Sequence, residues 1–124
     1  MTTYSEETLD LVQKIATECT ACQRCMKDCL FLQSFCENPK DLFTTILATG
    51  ESEPLLPFSC LLCGRCTVVC PLQLKLGESF LAMRQDLVKS NQGRPLKALR
   101  SVELHQFFSC HRFFTGDNRG GRKQ

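Results

Sequence analysis

Apolar residues recur at helical spacing in four stretches of the chain. The first stretch runs up to Cys19, and Thr3 followed three residues later by Glu6 predicts a capping box where it begins. Its apolar positions are Leu9, Leu11, Val12, Ile15 and Ala16. We therefore predict an amphipathic helix in front of the first cysteine.

A second helix is predicted from Asn38 to Gly50. Asparagine is a favoured capping residue, the proline at 39 suits the first helical position, and glycine commonly follows the last helical residue. The apolar positions between these ends are Leu42, Phe43, Ile46 and Leu47. The next residues, Glu51 to Pro57, hold two prolines and three polar residues and predict a loop.

Two more helices are predicted after the last motif cysteine, from about Gly77 to Ser90 and from Pro95 onward. Their inward positions are predicted to be Phe80, Met83, Leu87 and Val88 in the third helix and Leu96, Leu99 and Val102 in the fourth. No stretch shows the alternation typical of a strand. The predicted fold class is all-α, with one domain over residues 1–115 and a flexible basic tail over 116–124.

The composition is that of a soluble domain, since 43% of the 124 residues are apolar and 23% are charged. No apolar run approaches the length that a bilayer requires, so we predict no membrane insertion. The first ten residues are polar and acidic and do not form a secretion signal. We therefore expect the protein in the cytoplasm.

Eight of the ten cysteines fall in two runs with one spacing, C-x2-C-x2-C-x3-C. This spacing is the bacterial-type signature of cysteine-ligated iron–sulfur clusters. The runs are Cys19, Cys22, Cys25 and Cys29, then Cys60, Cys63, Cys66 and Cys70. Two runs predict two [4Fe-4S] clusters.

The last cysteine of each run is predicted to serve the cluster of the other run. Three cysteines at short intervals occupy three corners of one cube, whereas the fourth lies about a helical turn further on and completes the other cluster in two-cluster proteins. The predicted ligands are Cys19, Cys22, Cys25 and Cys70 for the first cluster, and Cys60, Cys63, Cys66 and Cys29 for the second. Such crossing would tie distant segments into one body.

Zinc and disulfides are the rival uses of these cysteines. A structural zinc site usually takes two separated C-x-x-C knuckles, in which the third and fourth cysteines of each run have no role. Disulfide frameworks belong to small secreted domains, and the chain shows no sign of secretion. Both alternatives are less favoured than clusters.

Charge and motifs indicate no other chemistry. The formal charge of +2 becomes about −2 once two clusters with their thiolates are counted, so we predict no nucleic-acid partner. The chain has no G-x-G-x-x-G and no phosphate-binding loop. We expect no catalytic site of its own.

Of the two residues between the second and third cysteines of each run, one differs between the runs and one is shared. Gly64 stands where Gln23 stands in the first run, which predicts that the two sites differ in backbone approach and in hydrogen bonds to sulfur. Arg24 and Arg65 occupy one shared position, where they either favour cluster reduction or are solvated loop charges. The solvated interpretation is preferred because arginines are mostly exposed.

Other candidate residues are interpreted without a chemical role. Cys36 and Cys110 are interpreted as small buried hydrophobes rather than redox thiols. The sequence places no C-x-x-C or carboxylate at ligand spacing from His105 or His111, so packing or surface roles are preferred for both. Four aromatics either fill the core or form a patch for a partner subunit, namely Phe107, Phe108, Phe113 and Phe114.

Over positions 1–115 the chain resembles the small iron–sulfur subunit of heterodisulfide reductases. The resemblance is carried by the two cysteine runs in a helical setting. Three tracts are similar to the segments after the second motif in that group, namely residues 83–88, His105-Gln106 and Phe113-Phe114-Thr115. The resemblance implies an α-helical ferredoxin-like domain that binds two [4Fe-4S] clusters.

Three functions remain open from the sequence. The first is an electron-transfer subunit between a flavin-containing subunit and a catalytic iron–sulfur subunit. The second is the iron–sulfur subunit of a flavin-dependent dehydrogenase of glycerol-3-phosphate or lactate type that feeds quinone, a group that is also similar. The third is a structural or regulatory metal-binding module.

Overall fold

The structure, a computed structural model, describes residues 3–114. Within these residues all regular structure is helical and there is no strand, which confirms the all-α prediction. The helices are α1 (Glu6–Glu18), α2 (Leu30–Phe35), α3 (Pro39–Thr49), α4 (Leu55–Ser59), α5 (Arg65–Val69), α6 (Leu76–Ser90) and α7 (Arg100–Ser109), with 3₁₀ turns at Arg24–Met26 and Lys97–Leu99.

The described chain forms two compact units, which meet in sequence between Arg94 and Pro95. This boundary falls inside the range 1–115 that the sequence predicts as one domain. The first unit holds both cysteine runs and helices α1 to α6, and the second holds α7. The predicted tail over 116–124 lies outside the described residues, so it stays a prediction.

Helix α1 begins at Glu6 and is capped by Ser5 rather than by Thr3, so the predicted capping box is wrong. The Ser5 hydroxyl accepts a hydrogen bond from the Thr8 backbone N–H at 3.4 Å. The Ser5 N–H in turn donates to Asp86 at 3.0 Å, and its hydroxyl donates to the same carboxylate at 2.9 Å. This long-range anchor on α6 decides which residue caps α1.

Helix α3 has the predicted ends. The Asn38 side chain accepts a hydrogen bond from the Lys40 N–H at 3.0 Å, and Pro39 takes the first helical position. Gly50 ends the helix in the left-handed conformation, with φ of 70°. Local sequence signals are sufficient here because every capping contact lies within the segment.

The core of the first unit lies where α1 packs against α3 and α6. Helix α6 also packs against α4 and α5, so it connects this core to the second cysteine run. The buried apolar side chains are Tyr4, Val12, Ile15, Ala16, Met26, Leu32, Phe43, Ile46, Leu56, Leu74, Leu76, Phe80, Met83 and Leu87. The predicted inward positions of α6 are thus largely confirmed.

Two predictions about element limits are wrong. The predicted loop over residues 51–57 contains the start of α4, because Leu56 and Pro57 are buried and a proline is tolerated in the first helical turn. The fourth helix starts at Arg100, after a 3₁₀ turn, rather than at Pro95. In it Val102 is 58% exposed rather than inward, because a unit this short has few apolar neighbours to enclose a helix face.

Candidate metal centre

The two cysteine runs adopt the same local backbone. In each run, the residues on either side of the second cysteine adopt the left-handed backbone conformation. They are Ala21 and Gln23 in the first run, with φ of 58° and 60°, and Leu62 and Gly64 in the second, with φ of 55° and 75°. Left-handed non-glycine residues are uncommon and concentrate at functional sites. Gln23 and Gly64 therefore adopt the same left-handed conformation, and the predicted difference in backbone approach to the two clusters stays a prediction.

Hydrogen bonding does differ at this position. The Gln23 side chain donates to the Glu37 carbonyl at 3.1 Å, a contact that the glycine at 64 cannot make. In the second run the Leu62 N–H donates to the Cys60 sulfur at 3.4 Å. The two sites thus differ in their polar contacts rather than in their turns.

The third cysteine of each run lies on a short helical element. Cys25 is part of the 3₁₀ turn Arg24–Met26, and Cys66 is part of α5. These two elements pack against each other, so the two runs meet at their third cysteines.

The fourth cysteines mark the ends of helices. Cys29 caps the start of α2, and its sulfur accepts a hydrogen bond from the Leu32 N–H at 3.5 Å. Cys70 follows the last residue of α5 and precedes Pro71. Each fourth cysteine is thereby directed away from the turn that holds the other three.

Two cavities lie side by side between the runs, and each is lined by cysteines from both. The first is lined by Cys19, Cys22, Cys25 and Cys70, and the second by Cys60, Cys63, Cys66, Cys29 and again Cys25. The structure therefore brings together all eight motif cysteines in the two predicted sets. Coordination of iron by these sets stays a prediction.

Three of the thiols on these cavities have a pKa that favours their neutral form. Burial raises the pKa of Cys25 to about 12, and the nearby Cys66 and Cys19 add to the rise. Burial also raises the pKa values of Cys60 and Cys66. Clustered thiolates at these positions need positive charge beside them, which the iron ions of a cluster supply. The donor set therefore fits an iron–sulfur cluster in each cavity.

The start of α6 adds a further electrostatic feature. Leu76 lines the first cavity and Gly77 lines the second, so the amino-terminal end of this 15-residue helix lies next to both. A helix amino terminus carries partial positive charge. Hydrogen bonds with the backbone of Gly77 and Thr67 oppose the burial that raises the pKa of Cys66. These contacts suit an anionic thiolate–cluster assembly.

The remaining cysteines and the arginines of the runs differ in their exposure. All ten cysteines, each within the described range, are free thiols. Cys36 is half-buried against the core and donates to the Leu32 carbonyl at 3.3 Å, whereas Cys110 is exposed, so the buried interpretation is wrong for Cys110. Arg24 is exposed, and Arg65 pairs with Asp28 with both side chains 60% exposed. The solvated interpretation of these arginines is consistent with this exposure.

Residues of the second unit form an aromatic group of their own. His111 stacks on Phe113 with ring centroids 5.2 Å apart, and Phe108 contacts both Phe107 and Phe114. All four phenylalanines are exposed, so the interpretation as core residues is wrong for them. His105 is also exposed, as a surface role requires. Their use as a partner patch stays a prediction.

One side chain beside the second cysteine run was missed by sequence reasoning. Arg84 donates hydrogen bonds to the carbonyls of Pro57 and Cys60, at the entrance to the second run. The signal was its position in the tract of residues 83–88, which carries the resemblance but indicates no role.

In the part of the chain that is described, no group of three or more His, Cys, Asp or Glu side chains is close enough to hold a single metal ion.

Comparison with known proteins agrees with the cavities. Residues 18–75, which contain all eight motif cysteines, match the family model of the 4Fe-4S dicluster domain. No curated protein matches the chain, and no solved structure does. The chain binds two [4Fe-4S] clusters in an all-α, ferredoxin-like fold, and its role is iron–sulfur electron transfer.

Proposed function

We propose that this chain is the electron-transfer subunit of a heterodisulfide reductase-like complex. It receives single electrons from a flavin-containing subunit and delivers them to a catalytic iron–sulfur subunit. In each transfer one electron moves from the reduced flavin through this chain to the catalytic partner. The chain transfers no atom. The clusters supply one-electron redox chemistry when bound.

The observation that carries this proposal is the arrangement of the two cavities. Cys25 lines both of them, so the two cluster sites share a wall. Each cavity also includes one exposed cysteine, Cys22 in the first and Cys63 in the second. A path of this kind runs from the surface through two neighbouring sites and back to the surface, which suits relay between two partners.

The protein surrounds the sites with few polar groups. Phe80 lines the second cavity and packs edge-on against Phe31, with ring centroids 5.1 Å apart. Its ring is tilted against that of Phe43, with centroids 5.5 Å apart. Leu74 and Leu76 line the first cavity and are buried. These apolar walls limit water around the sites, and solvent exposure is one of the factors that sets cluster potentials.

We propose that the protein lies in the cytoplasm and contacts other subunits of a redox complex. Among the residues that the structure describes, none of the helices has the length and apolarity needed to cross a bilayer. The flavin-containing partner and the catalytic iron–sulfur partner are proposed from the resemblance to heterodisulfide reductases.

Anaerobic purification of the full chain tests the proposal in two stages. The first stage is metal and sulfide analysis, which we expect to find about eight irons and eight sulfides per chain. One or two zinc ions without acid-labile sulfide would instead identify a structural zinc module and refute the proposal.

The second stage is isolation of the tagged protein from its native host under anaerobic conditions, followed by identification of stoichiometric subunits. We expect a flavoprotein together with a cysteine-rich iron–sulfur protein. Co-purification with a substrate dehydrogenase would favour the glycerol-3-phosphate or lactate type of complex. A cluster-loaded protein that is always isolated alone would contradict a subunit role.

A further inference from the structure

Arg84 holds the peptide that leads into the second cysteine run. Its guanidinium donates one hydrogen bond to the Pro57 carbonyl and another to the Cys60 carbonyl, both at the carboxyl end of α4. It also lies over the Phe58 ring, 5.8 Å from the centroid. Because α4 ends at Ser59, these carbonyls belong to the last turn, whose acceptors lack helical donors.

No carboxylate among residues 3–114 forms an ion pair with Arg84. The ion pairs found among residues 3–114 are Arg65 with Asp28 and Lys75 with Glu78. Arg84 is half-buried, so solvent screens its charge less than that of an exposed side chain.

Among the described residues, no arginine binds the first run in the way that Arg84 binds the second. The carbonyls in the corresponding positions belong to Ala16 and Cys19, at the end of α1. Within the described part of the chain these carbonyls accept no side-chain hydrogen bond, and the last turn of α1 contains no basic residue. The two cluster sites are therefore electrostatically unequal, although their turns are alike.

We propose that Arg84 is a positioning residue for the second cluster and raises the midpoint potential of that cluster, an inference that rests on the proposed function. Reduction adds one negative charge to the cluster and its thiolates, and a fixed positive charge beside Cys60 favours the reduced form. The two hydrogen bonds hold Cys60 so that its sulfur keeps one position during the change. The reduced form of the second cluster is thereby more stable than it would be without this charge.

The test is an EPR-monitored redox titration of the anaerobic, cluster-loaded full chain and its Arg84→Gln variant. We expect the equilibrium constant for reduction of the second cluster to fall about tenfold, which for one electron is about 59 mV. The midpoint of the first cluster should remain unchanged. The second-cluster signal is identified as the one that Cys63→Ser alters.

Two charge-removing controls accompany Arg84→Gln. Lys89→Gln removes a positive charge from the same helix, at an exposed position near Asp86, and should leave both midpoints in place. Arg65→Gln removes a charge within the second run that is exposed and paired with Asp28, so its effect should be smaller than that of Arg84→Gln. Equal shifts in all three variants would overturn the inference.

Arg84→Lys is the variant to titrate if Arg84→Gln does not retain both clusters. Lysine keeps the charge but cannot span both carbonyls, so we expect a smaller decrease confined to the second-cluster midpoint. Unchanged midpoints in a loaded Arg84→Gln protein would overturn the inference and leave the proposed function intact. Unchanged midpoints in Arg84→Lys would do the same where only that variant retains its clusters. A wild-type chain without reducible clusters would instead overturn the proposed function.

Discussion

Four residues in the cysteine runs adopt the left-handed conformation, and only Gly64 among them is a glycine. For the others this conformation costs about 1–2 kcal/mol each relative to ordinary backbone. The cost is tolerated because these turns direct three sulfurs of each run toward one cavity. At the residue scale, the site is therefore built at the expense of local backbone stability.

Ala21→Gly is expected to raise the stability of the loaded protein, by up to about 1 kcal/mol, because glycine adopts the left-handed region without steric cost. Ala48→Gly, on the exposed face of α3, is the matched control and should lower stability by about 0.5–1 kcal/mol. The measurement is the thermal unfolding midpoint of anaerobic protein. Shifts of the same sign in both variants would show that Ala21 carries no backbone strain.

At the scale of elements, α6 is the helix that organises the first unit. Its amino-terminal end lies next to both cavities, Arg84 holds the end of α4, and Asp86 accepts hydrogen bonds from Ser5 and Thr8 at the start of α1. One helix thus connects the cluster sites to the core helices. Substitutions at these contacts should therefore destabilise segments that are distant from α6 in sequence.

Asp86→Asn is expected to lower the free energy of unfolding at pH 7 by about 1–3 kcal/mol, because charge-assisted hydrogen bonds to a buried carboxylate are lost. Burial acts to raise the pKa of Asp86, but hydrogen bonds from Thr8 and Ser5 outweigh it and hold the pKa below its ordinary value of 3.8. A lowered pKa means that the carboxylate stabilises the fold above the unfolded-state value and that this contribution is lost as the pH falls through the folded-state value.

Denaturation of wild type and Asp86→Asn over a pH series checks this prediction. The difference in stability should be complete near neutral pH and should shrink below about pH 4. Asp10→Asn, at an exposed position on α1, is the control and should change stability by less than about 0.5 kcal/mol. A pH-independent difference would mean that the charge of Asp86 does not contribute.

At the scale of the whole molecule, the crossed cysteine sets join segments that are far apart in sequence. Cys70 lies on the cavity of the first run, and Cys29 lies on the cavity of the second. Each cluster would therefore bridge both segments, so cluster assembly and folding of the first unit should depend on each other.

The crossed assignment predicts how single serine variants group. Cys70→Ser should alter the same EPR signal as Cys22→Ser, because both residues line the first cavity. Cys29→Ser should alter the same signal as Cys63→Ser, which lies on the second. If Cys70→Ser instead grouped with Cys63→Ser, each run would serve its own cluster and the crossed assignment would be wrong.

Much of the fold and of the chemistry is determined by local patterns in the sequence. Helical periodicity and the caps at Asn38 and Gly50 determine α3, because the contacts that form them lie a few residues apart. The spacing of the cysteines determines the cofactor for the same reason, since three ligands come from one short turn.

Tertiary structure decided the features that depend on long-range contacts. Ser5 rather than Thr3 caps α1 because Asp86 holds it across 81 residues, and α4 forms where prolines predicted a loop because its apolar residues are buried. The exposure of Val102 and the role of Arg84 at the second run likewise depend on which surfaces meet. A periodic pattern specifies which face of a helix is apolar, whereas only packing specifies what that face and its polar neighbours contact.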